Sequence, residues 1–517
     1  MSRTVSGTNR KTFASMASRS RRCRLGTLSE RFTRMYDGSN FEGASMLRAA
    51  AVLASYFVAV GALSSTPAVS QLEPRFELSG TSVLVDEPIE IRVSGLPAGR
   101  PVTVRLLQRN AAGFWRSHAT FVADQDGRVD LTRVAPASGS YSGVAAMGLV
   151  WSLQRDDPSL QPPQAASAAR LAPIEAELTV EIDGTVVAKA TVRRHALNTD
   201  VRVTEVRERG LVGAFYEPSG PGRHPAMLVF GGSEGGLIDA WSYPGGLSSR
   251  GYAVLALAYF GIEGVPPRLS MIRLEYFKTA LDWLAHQATV DSKRIGIFGS
   301  SRGGELALLL GATYPQIATV VAHVPSHVVW AGCCDSLAPP AWTLGGKPIP
   351  RVMTVASREA VARYENGQPH QEVHTFLALL EDTSAVARGI IPVERIKAPV
   401  LLISGRDDRR WPSTYMADQV VARLKQHGFR YPVTHLAFDD AGHAIGRPHF
   451  PSLNAFGGTT EGNGRAREEH WESMLRFLDS NLRAGSGANK KARAEVAHGL
   501  VDAEKRLSRG PLVEVRD

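Results

Sequence analysis

Length, composition and charge restrict the class of protein. The chain has 517 residues, of which 44% are hydrophobic, so it is too long for one hydrophobic core and apolar enough to build two. Its net charge of +9 suggests a polyanion-binding protein, but residues 1–70 hold ten Lys/Arg against three Asp/Glu. The remainder is nearly neutral and has no basic stripe with interleaved aromatic residues, which argues against nucleic-acid binding.

The first 70 residues predict a leader with a signal-peptide-like segment at 46–70. Met46-Leu47-Arg48 precedes a mainly apolar run of 15 residues, and small residues suited to cleavage before Gln71 follow it. This three-part layout is typical of secretory signals, and the run is too short to span a membrane. A buried core helix is the alternative interpretation. If the segment acts as a signal, we expect an exported protein without a membrane span in its mature form, and otherwise a cytoplasmic one.

Residues 72–198 predict a β-sandwich domain. Short runs of alternating apolar and polar residues are separated by turn residues, which is typical of packed antiparallel sheets. These runs lie at 83–85, 89–93, 102–106 and 176–182. Residues 156–172 are rich in Pro, Ala and polar side chains and predict a loop between strands.

Residues 199–483 predict a catalytic α/β domain with a mostly parallel sheet, because strands alternate with helical patterns. An apolar strand at 226–230 is followed by a glycine-rich segment at 231–236. A phosphate-binding loop is the competing interpretation, but the segment lacks both G-x-x-x-x-G-K-[ST] and G-x-G-x-x-G. We expect this segment to donate a backbone N–H to an oxyanion, from Gly232 or, as the alternative, from Ser233.

The motif Gly299-Ser300-Ser301-Arg302-Gly303 predicts a catalytic nucleophile. It follows an apolar strand at 295–298 and precedes a helical pattern at 304–310, which together make the strand, turn and helix of a nucleophile elbow. The glycines let the backbone turn closely, so that the Ser301 hydroxyl projects from the sheet. The Arg302 amide is then the first oxyanion donor. Because G-x-S-x-G also occurs by chance, a Gly/Ser-rich loop is the alternative.

A serine nucleophile needs a base and a group that orients the base, and in this fold class they follow in the order Ser, acid, His. A predicted strand at 399–405 brings Asp407 and Asp408 to the sheet edge at which open α/β sheets bind ligands. A strand at 433–438 leads into a small-residue loop that contains His443. We expect His443 to be the base and Asp408 the orienting acid. Asp407 is the alternative acid, and otherwise bonds within its loop.

The remaining segments carry weaker signals. Residues 336–390 form a long mixed segment that predicts a cap over the pocket, and 484–517 predict a flexible or helical tail without a catalytic part. The apolar side chains of the cap either line an acyl channel or attach the insertion to the domain. Adjacent Cys333 and Cys334 cannot join distant segments and lack further ligands at metal spacing. We therefore expect no metal ion, and the expected serine hydrolysis needs no cofactor.

Several stretches between Leu72 and Leu482 together carry a family resemblance. They are Asp86-Glu87-Pro88, Met147-Gly148-Leu149-Val150-Trp151, Phe230-Gly231-Gly232, 254–259, Leu274-Glu275-Tyr276-Phe277, 299–305, 391–395, 405–411 and Ala441-Gly442-His443. In their order and spacing the chain resembles the acyl-CoA thioesterase and bile-acid-CoA:amino-acid N-acyltransferase family. The resemblance implies an immunoglobulin-like N-terminal domain before an α/β-hydrolase domain. It also places the nucleophile, acid and base of the family at Ser301, Asp408 and His443.

The resemblance also bears on the reaction. Family members with Cys as nucleophile conjugate amino acids, whereas those with Ser mostly hydrolyse the thioester, so Ser301 favours hydrolysis of a small-molecule acyl thioester or ester. The chain departs from eukaryotic members where Ser233-Glu234 interrupts the glycine run and where Arg302 replaces Lys or Leu. Because an export signal would separate the protein from CoA, an extracytoplasmic ester or lactone is an alternative substrate. Acyl transfer to an amine is a second alternative function, and non-catalytic binding is a third.

Overall fold

The computed structural model describes residues 73–110, 113–156, 171–237, 243–333, 339–353, 372–452, 454 and 456–483. All of them belong to one compact unit, Ser70–Asp517. The predicted leader, the predicted tail, Cys334, most of the predicted loop at 156–172 and part of the predicted cap lie outside the described residues.

The N-terminal part of the described chain forms two sheets. Its elements are β1 Arg75–Leu78, β2 Ser82–Leu84, β3 Ile91–Ser94, β4 Pro101–Asn110, β5 Gly113–Val122, β6 Val129–Asp130, β7 Ser138–Gly139, α1 Gly148–Trp151, β8 Gln154–Arg155, β9 Ile174–Ile182 and β10 Thr185–His195. One sheet has the order β1-β3-β6, and the other has the order β2-β10-β9-β4-β5-β7, with β8 beside β5. Among these described strands β2 and β10 pair in parallel, and the other pairs are antiparallel.

Alternation along these strands explains their packing. In β5, Ser117, Ala119 and Phe121 are buried while their neighbours are exposed or half-buried, because successive side chains point to opposite faces of a sheet. Val93 of the first sheet and Val104 of the second lie in the same hydrophobic core. Two sheets that share a core in this way form a sandwich; its immunoglobulin-like character stays a prediction.

The second part of the chain is built on an eight-stranded sheet. Its strands are β11 Arg202–Val206, β12 Val212–Glu217, β13 His224–Phe230, β14 Ala253–Ala258, β16 Val290–Ser300, β17 Thr319–His323, β20 Val400–Gly405 and β21 Val433–Phe438. They lie in the order β11-β12-β14-β13-β16-β17-β20-β21. The strands from β14 to β21 are parallel, and β12 is antiparallel to both of its neighbours. A small separate sheet contains β15 Ile272–Arg273, β18 Trp342–Leu344 and β19 Lys347–Pro348.

Helices cover both faces of the large sheet because its central strands are apolar on both sides. In β13, Leu228 and Phe230 belong to one hydrophobic core, and Met227 and Val229 belong to another. The helices are α2 Pro244–Ser248, α3 Leu274–Ala285, α4 Arg302–Thr313, α5 Glu372–Leu380, α6 Thr383–Gly389, α7 Ser413–Gln426 and α8 Thr460–Leu478, with a 3-10 turn Val393–Arg395 and a π-helical turn Asp479–Arg483.

The faces of the sheet are covered by different helices. The core on one face includes side chains of α3, α4 and α7, and the core on the other includes side chains of α2 and α8. A mostly parallel eight-stranded sheet between two helical layers is the α/β-hydrolase fold, so the predicted fold class is confirmed. In the part of the chain that the structure describes, no helix combines the length and apolar character needed to cross a membrane.

Two apolar residues of the predicted cap pack into the protein. Trp342 is fully buried, and its indole N–H donates to the Glu305 carboxylate at 2.7 Å. The Phe376 ring lies edge-on to Trp330, with ring centroids 4.9 Å apart, whereas Leu377 is exposed. For Trp342 and Phe376, these contacts favour attachment of the insertion to the domain over lining of an acyl channel.

The N-terminal sheets contact the loop that follows β21. The Arg194 guanidinium of β10 donates to the carbonyl oxygens of Val85 at 2.7 Å and of His449 at 2.5 Å. The Ser452 amide donates to the Trp151 carbonyl at 2.9 Å. The position of this loop therefore depends on both parts of the chain.

Candidate active site

Ser301 lies in a strained turn between β16 and α4. Its backbone angles are φ 59° and ψ −120°, a conformation that residues with a Cβ rarely adopt. The surrounding backbone holds the turn, because the Ser301 amide donates to the His323 carbonyl at 2.9 Å and its own carbonyl accepts from the Glu305 amide at 3.1 Å. The turn leaves the Ser301 side chain at the carboxyl end of the parallel sheet.

Close packing explains both glycines of the motif. A Cβ at Gly299 would lie 2.1 Å from the Gly303 carbonyl oxygen, and a Cβ at Gly303 would lie 2.3 Å from the Gly231 carbonyl oxygen. Both distances are far shorter than any real Cβ contact. The elbow is therefore packed directly against the glycine-rich segment that follows β13.

We expect Gly299→Ala to lower the free energy of unfolding by about 3 kcal/mol, because the added methyl overpacks a site closed by backbone. Gly446→Ala is the matched control, since its Cβ would meet nothing closer than 3.8 Å; we expect a change within about 0.5 kcal/mol. Urea unfolding followed by circular dichroism measures both. Equal stability of the two variants would contradict the packing argument.

The structure brings His443 and Asp408 to Ser301. His443 follows β21, and its Nε2 lies 3.0 Å from Ser301 Oγ. Its Nδ1 lies 2.8 Å from Asp408 Oδ2, and the His443 and Asp408 side chains are 12% and 2% exposed. With a proton on Nδ1, the imidazole donates to the carboxylate and its Nε2 is free to accept the serine proton.

The two adjacent aspartates have different partners. Asp408 Oδ1 accepts hydrogen bonds from the Arg410 amide at 3.0 Å and the next amide at 3.2 Å, which fixes the carboxylate while Oδ2 faces His443. Asp407 instead pairs with the Arg409 side chain at 2.9 Å and accepts the amide of residue 458 at 2.9 Å. The Asp408 carboxylate therefore contacts the imidazole, and the Asp407 carboxylate does not.

The two predicted oxyanion donors differ in their surroundings. Arg302 is the first residue of α4, where backbone N–H groups have no acceptor inside the helix. Gly232 lies against the nucleophile, because a Cβ there would be 3.0 Å from Ser301 Cβ. However, the Gly232 N–H donates to Glu234 Oε1 at 2.8 Å. A carboxylate of the chain itself therefore occupies the donor that we expected to meet the substrate oxygen.

Tyr259 supports the segment that carries this donor. Its hydroxyl donates to the carbonyl oxygens of Gly231 at 3.0 Å and Gly232 at 3.1 Å. Burial raises the pKa of Tyr259 well above its ordinary value, so the phenol stays protonated and keeps donating. These bonds restrict rotation of the peptide planes next to Ser301.

A buried ion pair fixes the start of α4. The Arg302 guanidinium lies 3.1 Å from Glu305 Oε2 and donates to the Trp330 carbonyl at 3.1 Å. Burial raises the pKa of Glu305 to about 7, and the charge of Arg302 opposes that shift. The guanidinium is thus directed into the protein, while the Arg302 amide stays at the helix N-terminus.

A cavity of about 690 Å³ lies beside Ser301 and His443, a volume typical of small-molecule sites. Aromatic rings and two oppositely charged groups form part of its wall: Trp115, Phe450, Phe456, Glu234 and Arg447. Trp115 belongs to β5, so the N-terminal sheets also contribute to the cavity. Across the described ranges, no cluster of three or more His, Cys, Asp or Glu side chains is placed to bind a metal ion.

Comparison with known sequences identifies the family. The family model described as "BAAT / Acyl-CoA thioester hydrolase C terminal" matches residues 272–484, and "Acyl-CoA thioester hydrolase/BAAT N-terminal region" matches residues 86–208. Acyl-coenzyme A thioesterase 1 of Mus musculus is 32% identical over 414 residues, which cover 77% of this chain and 94% of the mouse protein. The chain belongs to the acyl-CoA thioester hydrolase/BAAT family.

Two further relatives align over a similar share of this chain. Human mitochondrial acyl-coenzyme A thioesterase 2 is 30% identical over 419 residues, or 78% of this chain and 83% of the human protein. The peroxisomal succinyl-coenzyme A thioesterase of Mus musculus is 28% identical over 430 residues, or 77% and 94%. All three relatives carry the names of thioester hydrolases, which confirms the predicted family and enzyme class.

Several residues around Ser301 were not predicted from the sequence. Glu234 interrupts the glycine run two residues after Gly232. This position was the sequence signal for its contact with the Gly232 amide. Arg447 follows His443 by four residues, and only its place in the same loop could have indicated it. The position of Trp115 depends on how the sandwich packs against the catalytic sheet, for which the local sequence gives no signal.

Proposed function

We propose that this family member hydrolyses acyl thioesters through an acyl-enzyme on Ser301, with His443 as general base and Asp408 as the orienting carboxylate. The supporting observation is the hydrogen-bonded series from Ser301 Oγ to His443 at 3.0 Å and from His443 to Asp408 at 2.8 Å. This series borders a cavity large enough for a small-molecule acyl group.

In the proposed acylation step, Ser301 Oγ attacks the acyl carbonyl carbon and His443 Nε2 accepts the hydroxyl proton. Asp408 stabilises the imidazolium that forms. The carbonyl oxygen becomes an oxyanion, which the amides of Arg302 and Gly232 stabilise. When the carbon–sulfur bond breaks, His443 returns the proton to the leaving thiol.

In the proposed deacylation step, water replaces the thiol. His443 removes a proton from the water as the water oxygen attacks the ester carbonyl. It then returns a proton to Ser301 Oγ as the carboxylic acid leaves. The ester on Ser301 has a poorer leaving group than a cysteine thioester would have, so transfer to an amine is less favoured. Neither step uses a metal ion or a cofactor.

Glu234 affects the oxyanion site of this mechanism. Its carboxylate competes with the oxyanion for the Gly232 N–H, so a weaker acceptor at position 234 leaves the donor more available. We expect Glu234→Gln to raise kcat about 3- to 10-fold, the difference between a charged and a neutral hydrogen bond. Steady-state hydrolysis of a neutral thioester measures it. A tenfold loss would instead show that the Glu234 charge assists the reaction.

The proposed function is tested by a substrate screen. Wild-type protein and Ser301→Ala are assayed with acyl-CoA esters of increasing chain length, with p-nitrophenyl esters, and with added glycine or taurine. We expect acyl thioesters to be hydrolysed by the wild type alone, without amide product. Cleavage of short esters without any thioester would replace the proposal by a general esterase, and amide formation would replace it by acyl transfer.

We also propose that the protein is exported if residues 46–70 act as a signal. In that case its substrate is an extracytoplasmic ester or thioester. Cell fractionation with N-terminal sequencing tests the proposal. We expect a mature chain that begins at Gln71 outside the cytoplasm, and an uncleaved cytoplasmic chain would contradict it.

A further inference from the structure

The wall of the cavity contains a cation that forms no ion pair among the described residues. Arg447 lies in the loop that follows His443, and both residues border the cavity. Its guanidinium stacks on the Phe450 ring, 3.3 Å from the ring centroid. Among the hydrogen bonds and ion pairs of the described residues, none involves the Arg447 guanidinium.

Neighbouring arginines are used differently. Arg467 donates to three carbonyl oxygens of the loop that carries His443. Arg194 donates to two carbonyl oxygens, and Arg410 forms an ion pair with Glu372 at 2.7 Å. These three side chains hold backbone or carboxylate groups of the chain itself, and Arg447 does not.

The environment of Arg447 is poor in negative charge. Burial lowers its pKa to about 9, and the positive charges of Arg194 and Arg467 lower it further, against weaker opposing effects of Tyr243 and Asp86. The Asp86 carboxylate is already paired with Arg250 at 2.5 Å. A half-buried cation without an ion-pair partner is less stable than a paired one, so a bound anion would stabilise this part of the cavity.

We propose that Arg447 binds an anionic group of the substrate, a phosphate or a carboxylate, while the acyl carbonyl lies at Ser301. This inference rests on the proposed function and adds a specificity-determining residue to it. A planar guanidinium suits either anion because it donates two parallel hydrogen bonds. Glu234 repels an anion from the Gly232 side of the cavity, so the two charges together orient the substrate.

Three substrates distinguish the two sources of the anion. Butyryl-CoA carries phosphates on the leaving group, succinyl-N-acetylcysteamine carries a carboxylate on the acyl group, and butyryl-N-acetylcysteamine carries neither. We expect Arg447→Gln to lower kcat/KM about 10- to 100-fold for at least one anionic substrate and less than threefold for the neutral one. Arg447→Lys keeps the charge and should recover part of the loss.

Failure of this inference differs from failure of the proposed function. Equal changes for the neutral and both anionic substrates, within threefold, would overturn the role of Arg447 while hydrolysis itself remained. If the wild type hydrolysed no thioester, calorimetric binding of butyryl-CoA and succinyl-N-acetylcysteamine to the wild type and Arg447→Gln would decide the matter. Unchanged affinity for both ligands overturns the inference, and an affinity for either one weakened at least tenfold supports it.

Discussion

Ser301→Ala is expected to lower kcat for thioester hydrolysis by about 10⁵-fold, since removal of the nucleophile from a triad of this kind leaves only catalysis by binding and the oxyanion donors. The fold should persist, because an alanine fits where the serine Cβ already lies. Single-turnover assays with a butyryl thioester measure the loss of activity, and circular dichroism spectra show whether the fold persists. A loss smaller than about 100-fold would exclude Ser301 as the nucleophile.

The chain offers a matched control for this variant. Ser404 Oγ lies 2.8 Å from His435 Nε2, and His435 Nδ1 lies 3.1 Å from Asp418 Oδ1. These are the same three residue types at similar distances, but Ser404 is fully buried in β20, where no substrate reaches it. We expect Ser404→Ala to change kcat less than threefold and to lower the free energy of unfolding by about 1–3 kcal/mol. Loss of activity in Ser404→Ala without unfolding would contradict this distinction.

Asp408→Asn is expected to lower kcat by about 10⁴-fold, because an amide that donates to Nδ1 stabilises the wrong tautomer and cannot stabilise the imidazolium. KM for the neutral thioester should change little, since Asp408 contacts His443 and does not line the cavity.

Asp407→Asn is the control for Asp408→Asn. Asp407 pairs with Arg409 and the amide of residue 458, so its neutralisation weakens a loop contact that is partly exposed. We expect less than a tenfold loss of kcat and a small loss of stability. The reverse ranking of the two variants would assign the orienting role to Asp407.

The position of Ser301, Asp408 and His443 at one sheet edge could be predicted from the sequence. Parallel strands buried on both faces appear as continuous apolar runs, such as 295–298 in β16 and 400–403 in β20, and the carboxyl ends of parallel strands meet at one edge. The loops that follow these strands are therefore placed by local pattern and strand direction, without knowledge of any side-chain contact.

The wall of the cavity could not be predicted in the same way. Trp115 reaches it only because the sandwich packs against the catalytic domain, and the Glu234 contact depends on the conformation of a short loop. Trp342 shows the same limit. Its apolar character is compatible with an acyl channel and with the core, and the structure places it in the core, where it donates to Glu305. Contacts between segments distant in sequence decide these positions.

Rapid-quench mass spectrometry of the protein mixed with a butyryl thioester tests the proposed mechanism most directly. We expect a transient butyryl adduct on the peptide that contains Ser301, formed and lost at rates compatible with turnover, and absent from Ser301→Ala. Turnover with no adduct on this peptide, or with the adduct on another residue such as Cys333, would contradict an acyl-enzyme on Ser301.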